Sequence, residues 1–301
     1  GGSVHPPVAP SPMLTILFDG IAYGMLLFIL AVGLSVTMGL MNFINLAHGA
    51  FAMLGGYLTV ALMQHQGLPF LVCLPIAFGV TALVGALLER TLYRPMYNKP
   101  HLDQVLFSIG LTFMAVAATD YFMGSQQQII QLPEWLLGRT EWFDGALGMG
   151  HYRLFIIAIC AALTVGLQFV LSRTRFGSRL RASVDDPRVA ASLGINVNLV
   201  FAATFAVGSG LAGLGGALGA EVLGLDPSFP LKFLVYFLIV VAVGGTSSIT
   251  GPLLAALLLG IADVAGKYYI PKLGGFIVYT LMIAILIWRP HGLFSRLGGG
   301  K

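Results

Sequence analysis

Nine apolar stretches follow one another along this chain and leave little sequence for anything else. About 20 apolar residues in a helix span the hydrocarbon core of a bilayer, because the helix satisfies every backbone N–H and C=O within itself. Charged residues make up only 9% of the 301 residues, whereas soluble domains contain about 25%. The sequence therefore predicts an all-α polytopic membrane protein with about eight to ten transmembrane helices. The apolar stretches are 13–38, 49–64, 69–90, 103–123, 152–172, 198–222, 230–245, 251–268 and 274–288.

These stretches predict a single transmembrane domain over residues 13–296, with no room for a soluble domain. Residues 1–12 form an extramembrane N-terminal segment that begins Gly-Gly-Ser, and residues 297–301 end in Gly-Gly-Gly-Lys. Both ends are typical of tag remnants. We therefore expect neither end to contribute to the fold.

Basic residues are concentrated in three places, and they predict the orientation. Five arginines lie in 173–188, three basic residues lie in 89–101, and two arginines follow the last apolar stretch. Lys and Arg accumulate on the cytoplasmic side of a membrane. The longest connection, 124–151, carries three acidic residues against one arginine, so we expect it outside. Nine crossings, with the N-terminus outside and the C-terminus in the cytoplasm, satisfy all of these assignments.

Two segments interrupt the apolar pattern. Residues 42–49 read Asn-Phe-Ile-Asn-Leu-Ala-His-Gly, and residues 244–251 read Gly-Gly-Thr-Ser-Ser-Ile-Thr-Gly. Irregular backbone at membrane depth is tolerated where it is buried in protein or lines a cavity, and paired interrupted helices point to a transporter's midplane site. We therefore predict interrupted or re-entrant segments at both places, lining a substrate pathway. The candidate pathway residues are Asn42, Asn45, His48, Gly49, Gly244, Gly245 and Thr246.

Asn42, Asn45 and His48 are spaced by three, and on a helix they would fall within a sector of about 120°. Such a sector can line one side of a passage. The alternative is a packing network, since Asn and His also bridge neighbouring membrane helices at about 0.6 kcal/mol per contact. The sequence leaves both interpretations open.

Nucleotide and catalytic motifs are present only superficially. Residues 208–213 match Gly-x-Gly-x-x-Gly, but they lie inside an apolar stretch and do not follow a strand, so we interpret them as a face for close helix packing. The run ending at Lys267 has the wrong spacing for a phosphate-binding loop. Asp263 and Lys267, four residues apart, are expected to pair. We expect no catalytic residue, no metal site and no cofactor bound by this chain.

The basic segment 173–195 predicts short helices outside the membrane, with a break at Pro187. Its residues Val189, Ala190, Ala191 and Leu193 offer an apolar ridge beside charges, as in a short helix that docks into a groove on a partner. The simpler alternative is a basic loop that only fixes the topology.

Three stretches together resemble the LivH-type permeases of branched-chain amino acid ABC importers. The first contains Asn42 to Gly49 with Met53-Leu54-Gly55 and Tyr57. The second contains Gly177, Arg181-Ala182, Asp185-Asp186-Pro187 and Gly194-Ile195. The third contains Gly244-Gly245, Gly251-Pro252-Leu253-Leu254 and the tail Arg289-Pro290-His291-Gly292-Leu293-Phe294.

The resemblance implies a half-channel in the bacterial inner membrane that works by alternating access. Its implied partners are a homologous LivM-like permease, two cytoplasmic ATPases that use ATP and magnesium, a periplasmic substrate-binding protein and membrane lipid, but no nucleic acid. Segment 173–195 would be the coupling element. Its implied contact residues are Arg181, Ala182, Asp185, Asp186, Ala190, Ala191, Gly194 and Ile195.

The sequence departs from the family at Ala50, where members often have an acidic residue directly after the His-Gly pair. The substrate therefore stays open between branched-chain or related hydrophobic amino acids and urea, short amides or other amino acids. A stand-alone channel or secondary transporter for a small neutral solute is the alternative from another class of protein.

Overall fold

A computed structural model describes residues 13–142, 147–245, 248–289 and 292. This part of the chain contains eleven α-helices and one antiparallel hairpin. The helices are α1 Met13–Leu40, α2 His48–Gln66, α3 Phe70–Leu88, α4 His101–Met123, α5 His151–Arg173, α6 Arg175–Asp185, α7 Pro187–Ser192, α8 Val197–Leu223, α9 Phe229–Gly244, α10 Thr250–Tyr269 and α11 Gly274–Trp288. The strands are β1 Arg139–Trp142 and β2 Leu147–Gly150.

Every predicted apolar stretch is a helix in the structure, namely α1 to α5 and α8 to α11. Six of the described helices are long and apolar enough to cross a membrane: α1, α3 with the turns that extend it to Met96, α4, α5, α8 and α10. Two of the others, α9 and α11, are apolar but shorter. The prediction of an all-α polytopic membrane protein is confirmed.

Helix α1 lies at the centre of the bundle. It packs against α10, α8, α5 and α9, and its residues from Tyr23 to Leu34 are buried on every side. A helix that is apolar all round is stable only when other helices or lipid surround it, and here other helices do. The bundle therefore forms around the first helix of the chain.

Small residues allow the central helices to approach closely. Gly33 of α1 lies against Gly208 of α8, where a Cβ added at Gly208 would be 3.1 Å from the Gly33 Cα. Further along α8, Gly213 lies against Gly55 of α2. The interpretation of 208–213 as a packing face is confirmed, because glycines let helix backbones meet without intervening side chains.

The connection between α4 and α5 contains the hairpin, which the sequence reasoning did not predict. In the hairpin, Arg139 is opposite Gly150 and Trp142 is opposite Leu147. The Gly148 N–H donates to Thr15 Oγ1 at 3.0 Å, so the hairpin is fastened to the first turn of α1.

Candidate functional site

At the first predicted interruption, residues 41–47 are not helical, whereas His48 and Gly49 already belong to α2. Asn42 has a φ of +50°, in the left-handed region that Asn tolerates better than most residues. Asn42 is exposed, whereas Asn45 is 1% exposed and His48, the first residue of α2, is 2% exposed. The predicted helical sector of Asn42, Asn45 and His48 is therefore wrong, because turned and extended backbone does not repeat every 3.6 residues.

Side chains of α4 replace the hydrogen bonds that a helix would have supplied to this segment. The Ile44 N–H donates to Gln104 Oε1 at 3.2 Å, and the Leu46 N–H donates to Ser108 Oγ at 3.1 Å. Thr112 Oγ1 donates to the Leu46 carbonyl at 3.4 Å. The interruption is thus stabilised inside the bundle by polar partners, as irregular backbone away from water requires.

Sequence reasoning missed this contribution of α4. Gln104, Ser108 and Thr112 are the buried residues of the helix and recur every four residues. Polar residues with this spacing on an otherwise apolar helix indicate a polar face, and this pattern could have predicted the contact.

The interruption runs back into the bundle. Residues 44–46 are hydrogen-bonded to α4 side chains from Gln104 to Thr112, whose backbone positions span eight residues, or about 12 Å at 1.5 Å per residue. His48 then contacts Leu30, which lies ten residues, or about 15 Å, before the end of α1. The non-helical segment therefore lies inside the bundle between α1 and α2, and the prediction of an interruption there is confirmed.

His48 bridges two helices. Its Nε2–H donates to the Leu30 carbonyl at 2.8 Å, and its ring packs edge-on against Phe237 of α9, with 6.3 Å between ring centroids. A Cβ added at Gly33 would lie 2.6 Å from His48 Cε1, so a glycine is needed there to make room for the imidazole. The geometry is that of a helix-bridging histidine.

Asn45 ties the interruption to the helical turns that follow α3. Its Oδ1 accepts hydrogen bonds from the Ala47 N–H at 3.1 Å and from the Tyr93 hydroxyl at 2.9 Å. Its Nδ2 is buried without a hydrogen-bond partner within the described ranges. The Tyr93 ring lies in an aromatic cluster with Phe43 and Phe205.

Beside Tyr93, the connection after α3 contains an ion pair between the buried Glu89 and the half-buried Arg94. Glu89 is fully buried, and its carboxylate accepts from Arg94 Nη2 at 3.0 Å and from the Tyr97 hydroxyl at 2.9 Å. Because Glu89 is buried, loss of the arginine would leave an uncompensated charge inside the bundle. The sequence analysis used Arg94 only to predict the orientation. The acidic Glu89 among the basic residues of this connection was the signal for an ion pair.

The second interruption separates α9 from α10. Gly245 has a φ of +79°, and its N–H donates to the Val241 carbonyl at 2.9 Å. Gly244 lies against Pro252 of α10, and the Gly251 N–H donates to Ser248 Oγ at 3.3 Å. The predicted interruption is confirmed, whereas Thr246 lies outside the described residues.

The structure does not bring all the predicted pathway residues together. Gly49 packs against Pro230, with 2.9 Å between an added Cβ and the Pro230 Cα. Gly244 is fourteen residues further along α9, about 21 Å away at 1.5 Å per residue. These two glycines therefore mark opposite ends of α9.

The second interruption lines a cavity together with residues of segment 173–195. A cavity of about 200 Å³, which we call the α6 cavity, joins the last turns of α1, the end of α5, α6 and the start of α10. Arg181 lines it and donates through Nη1 to the Leu171 carbonyl at 2.5 Å. The lining residues are Ser35, Val36, Leu40, Gln168, Leu171, Ser172, Gly177, Leu180, Arg181, Ser248, Ile249 and Thr250.

Segment 173–195 forms the two predicted short helices, α6 and α7. Asp186 caps α7 by accepting from the N–H groups of Arg188 at 2.9 Å and Val189 at 3.1 Å. Gly194 has a φ of +83° and lies just beyond the end of α7, where left-handed glycine is favoured. Of the implied contact residues, Arg181, Asp185, Asp186, Ala191 and Gly194 are exposed, while Ala182 and Ile195 are half-buried.

The ridge prediction is wrong for Ala190, which is only 2% exposed. A helix of two turns cannot present consecutive residues on one face, so Ala190 points towards the bundle when its neighbours do not. The exposed apolar residues of this segment are Val189 at 54%, Leu193 at 74% and the small Ala191.

Apolar helices long enough to cross a membrane, two non-helical breaks between them, and the short helices α6 and α7 on a basic connection are typical of multi-pass transport permeases. The chain belongs to the family described as "Branched-chain amino acid transport system / permease component", whose model matches residues 16–286.

Three relatives show the breadth of the similarity. The chain is 27% identical over 293 residues to the high-affinity branched-chain amino acid transport system permease protein BraD of Pseudomonas aeruginosa, covering 93% of this chain and 95% of the relative. It is 27% identical over 297 residues to LivH of Escherichia coli K12, covering 93% and 94%. It is 28% identical over 294 residues to LivM of the same organism, covering 89% and 68%. No solved structure matches the chain.

Proposed function

We propose that this chain is the permease subunit of an ATP-driven importer that moves branched-chain amino acids into the cytoplasm by alternating access. The α6 cavity carries the mechanistic part of the proposal, since it places Leu180 and Arg181 of the coupling segment beside Ser248 and Thr250 at the second interruption. The names of the relatives support the choice of substrate.

The proposed assembly contains a second permease. LivH and LivM of Escherichia coli are both named as permeases of a high-affinity branched-chain amino acid system, and this chain is similar to each. A LivM-like partner in a heterodimer is therefore proposed. Two cytoplasmic ATPases, which would bind the ATP and magnesium, and a periplasmic substrate-binding protein complete the assembly in the bacterial inner membrane.

The proposed orientation has the N-terminus outside and the C-terminus in the cytoplasm. It places α6 and α7, with their arginines, in the cytoplasm, in agreement with the distribution of basic residues. It places the connection between α4 and α5 outside, where Trp135 and Trp142 are exposed, as is common at a membrane interface.

In the proposed mechanism, the ATPases move α6 and α7 when they close around ATP. Because α6 lines the same cavity as Leu40 and Thr250, its displacement reaches the ends of α1 and α10. Movement of the interruptions at 42–49 and 244–251 would then change the side of the membrane to which the pathway is open. The ATPases can shift the equilibrium between the two states of the permease only because they bind these states with unequal affinity.

The docking surface is tested with the double substitution Val189→Glu, Leu193→Glu. Two carboxylates on the exposed apolar side of α7 should abolish co-purification of the ATPases and reduce substrate-stimulated ATP hydrolysis at least tenfold, with normal amounts of the chain in the membrane. Ala190→Glu would be uninformative, because that side chain is buried in the chain's own packing.

Leu137→Glu is the matched control. Leu137 is comparably exposed but lies in the connection between α4 and α5, on the proposed outer side. The control should retain the ATPases. Retention of the ATPases by the double variant would refute the docking assignment, and ATP-independent solute flux through the chain alone would refute the importer proposal.

A further inference from the structure

A cavity of about 430 Å³ lies between α2, α3 and α4. Small-molecule sites in proteins are clefts of about 300–1,000 Å³ with mostly apolar walls and a few polar groups. This cavity has that size and composition. It is lined by Ala47, Ala50, Phe51, Met53, Leu54, Tyr57, Leu58, Ala61, Val84, Leu88, Leu111, Ala115, Ala118, Thr119, Phe122 and Met123.

Tyr57 lines the cavity and has an unsatisfied hydroxyl. The residue is 5% exposed, and its hydroxyl has no hydrogen-bond partner within the part of the chain that the structure describes. Leaving a buried hydroxyl unpaired costs about 1–3 kcal/mol. A ligand with a polar end would supply the missing partner, whereas a purely apolar occupant would not.

The lining contains one other polar side chain, that of Thr119 on α4, among apolar residues. The next residue, Asp120, is exposed and is not part of the lining. The polar contacts that the cavity offers an occupant are therefore the hydroxyls of Tyr57 and Thr119.

The cavity adjoins the first interruption. Ala47 is the last residue before α2, and Ala50 lies in the first turn of α2. On α4, the cavity-lining residues from Leu111 to Met123 continue beyond the polar stripe that holds the interruption in place. A change in the interruption therefore alters one wall of the cavity.

We infer that this cavity receives the aliphatic side chain of the amino acid during transit. The Tyr57 hydroxyl bonds to the polar end of the substrate. The inference rests on the proposed function and deepens it by naming the place in the chain where an apolar, zwitterionic substrate is accommodated. A lipid acyl chain would satisfy the apolar walls but would leave the Tyr57 hydroxyl unpaired.

Filling the cavity tests the inference in the intact transporter. Ala115→Trp should lower leucine uptake at least tenfold, because the indole occupies the space between α4 and α2. Ala117→Trp, on the same helix but outside the lining, should keep uptake within about twofold of wild type. The amount of each variant in the membrane and its co-purifying partners are measured alongside uptake.

A smaller substitution separates substrate selection from general damage. Ala115→Val should reduce leucine uptake more than valine uptake, because one methylene in an apolar pocket changes discrimination by about tenfold or more. Tyr57→Phe should raise the apparent KM several-fold with little change in maximal rate. A merely structural role would not change the ratio of leucine to valine uptake.

The outcomes are distinct. Equal effects of the two tryptophan substitutions, an unchanged ratio in Ala115→Val, or lipid loss from Ala115→Trp with intact uptake would each overturn the inference and leave the proposed function standing. Absence of branched-chain amino acid uptake by the wild-type transporter would overturn the proposed function and this inference with it.

Discussion

The contact between α2 and α8 at Gly55 offers a sharp test of the packing. A Cβ added at Gly55 would meet three backbone atoms of Gly213, each closer than 3.0 Å. Backbone atoms cannot rotate away, so α2 and α8 must separate. Gly213 is itself packed against Thr81 of α3, which prevents α8 from yielding on its other side.

The expected magnitude follows from two opposing effects. Overpacking a well-filled contact costs about 1–3 kcal/mol, and the rigid backbone places Gly55→Ala at the upper end of that range. Replacing a helical glycine by alanine contributes about 1 kcal/mol of helix propensity. Gly55→Ala should therefore destabilise the protein by about 2 kcal/mol, which corresponds to a decrease in Tm of roughly 5 °C for a domain of 150–250 residues.

Gly79→Ala in α3 is the matched control, because an added Cβ there meets nothing within 4 Å. The control retains the gain in helix propensity without the clash, so it should be about 1 kcal/mol more stable than wild type. The assay is thermal unfolding of the detergent-solubilised protein, followed by size-exclusion chromatography. A Tm for Gly55→Ala equal to or above that of Gly79→Ala would refute the packing argument.

Three further predictions concern polar groups. His48→Leu should cost about 1–3 kcal/mol, because a carbonyl of α1 loses its donor, and should reduce uptake without dissociating the assembly. Gln104→Leu should increase hydrogen exchange in the first interruption, because the Ile44 N–H loses its acceptor. Burial raises the pKa of Asp226, but hydrogen bonds, led by that from Lys232, outweigh burial and hold the pKa below its ordinary 3.8. The stability difference between wild type and Asp226→Asn should therefore be constant above about pH 5 and decrease as the pH falls below 4.

For each of these predictions, a specific result would contradict the reasoning. For His48, the Gln variant can donate a similar hydrogen bond and should retain most of the stability; equal losses in both variants would argue against that bond. For Gln104, an unchanged rate of hydrogen exchange in a peptide covering 41–47 would show that the Gln104 side chain does not stabilise this segment. For Asp226, a stability difference that persists unchanged at pH 3 would show that its charge does not contribute. Thermal unfolding across pH measures the last.

Much of the helical content could be predicted because it depends on local pattern. Apolar runs long enough to cross a bilayer specify helices, and Asp186, Pro187 and Gly194 specify the bounds of α7 through capping and a left-handed glycine. The glycines at 208–213 also predicted close helix packing, because a row of small residues on an apolar helix lets a neighbouring helix approach.

The arrangement of the candidate site was harder to predict. Sequence spacing suggested that Asn42, Asn45 and His48 share one face, but the backbone before His48 is not helical. Its conformation depends on partners in α4 that are about 60 residues away in sequence. Ala190 was misjudged for a related reason, since the side of a two-turn helix that becomes buried is decided by the helices beneath it.

The sequence by itself determined that the chain is a bundle of membrane helices, where the helices are interrupted and which segment lies outside the bundle. Only the tertiary structure decided that His48 joins α1 to α9, that Gly49 and Gly244 lie at opposite ends of α9, and that Arg181 shares a cavity with the second interruption. The physical reason is the range of the interactions. Hydrophobicity, capping and glycine conformations act within a few residues, whereas polar partners and cavities form between helices whose neighbours are fixed only when the whole bundle packs.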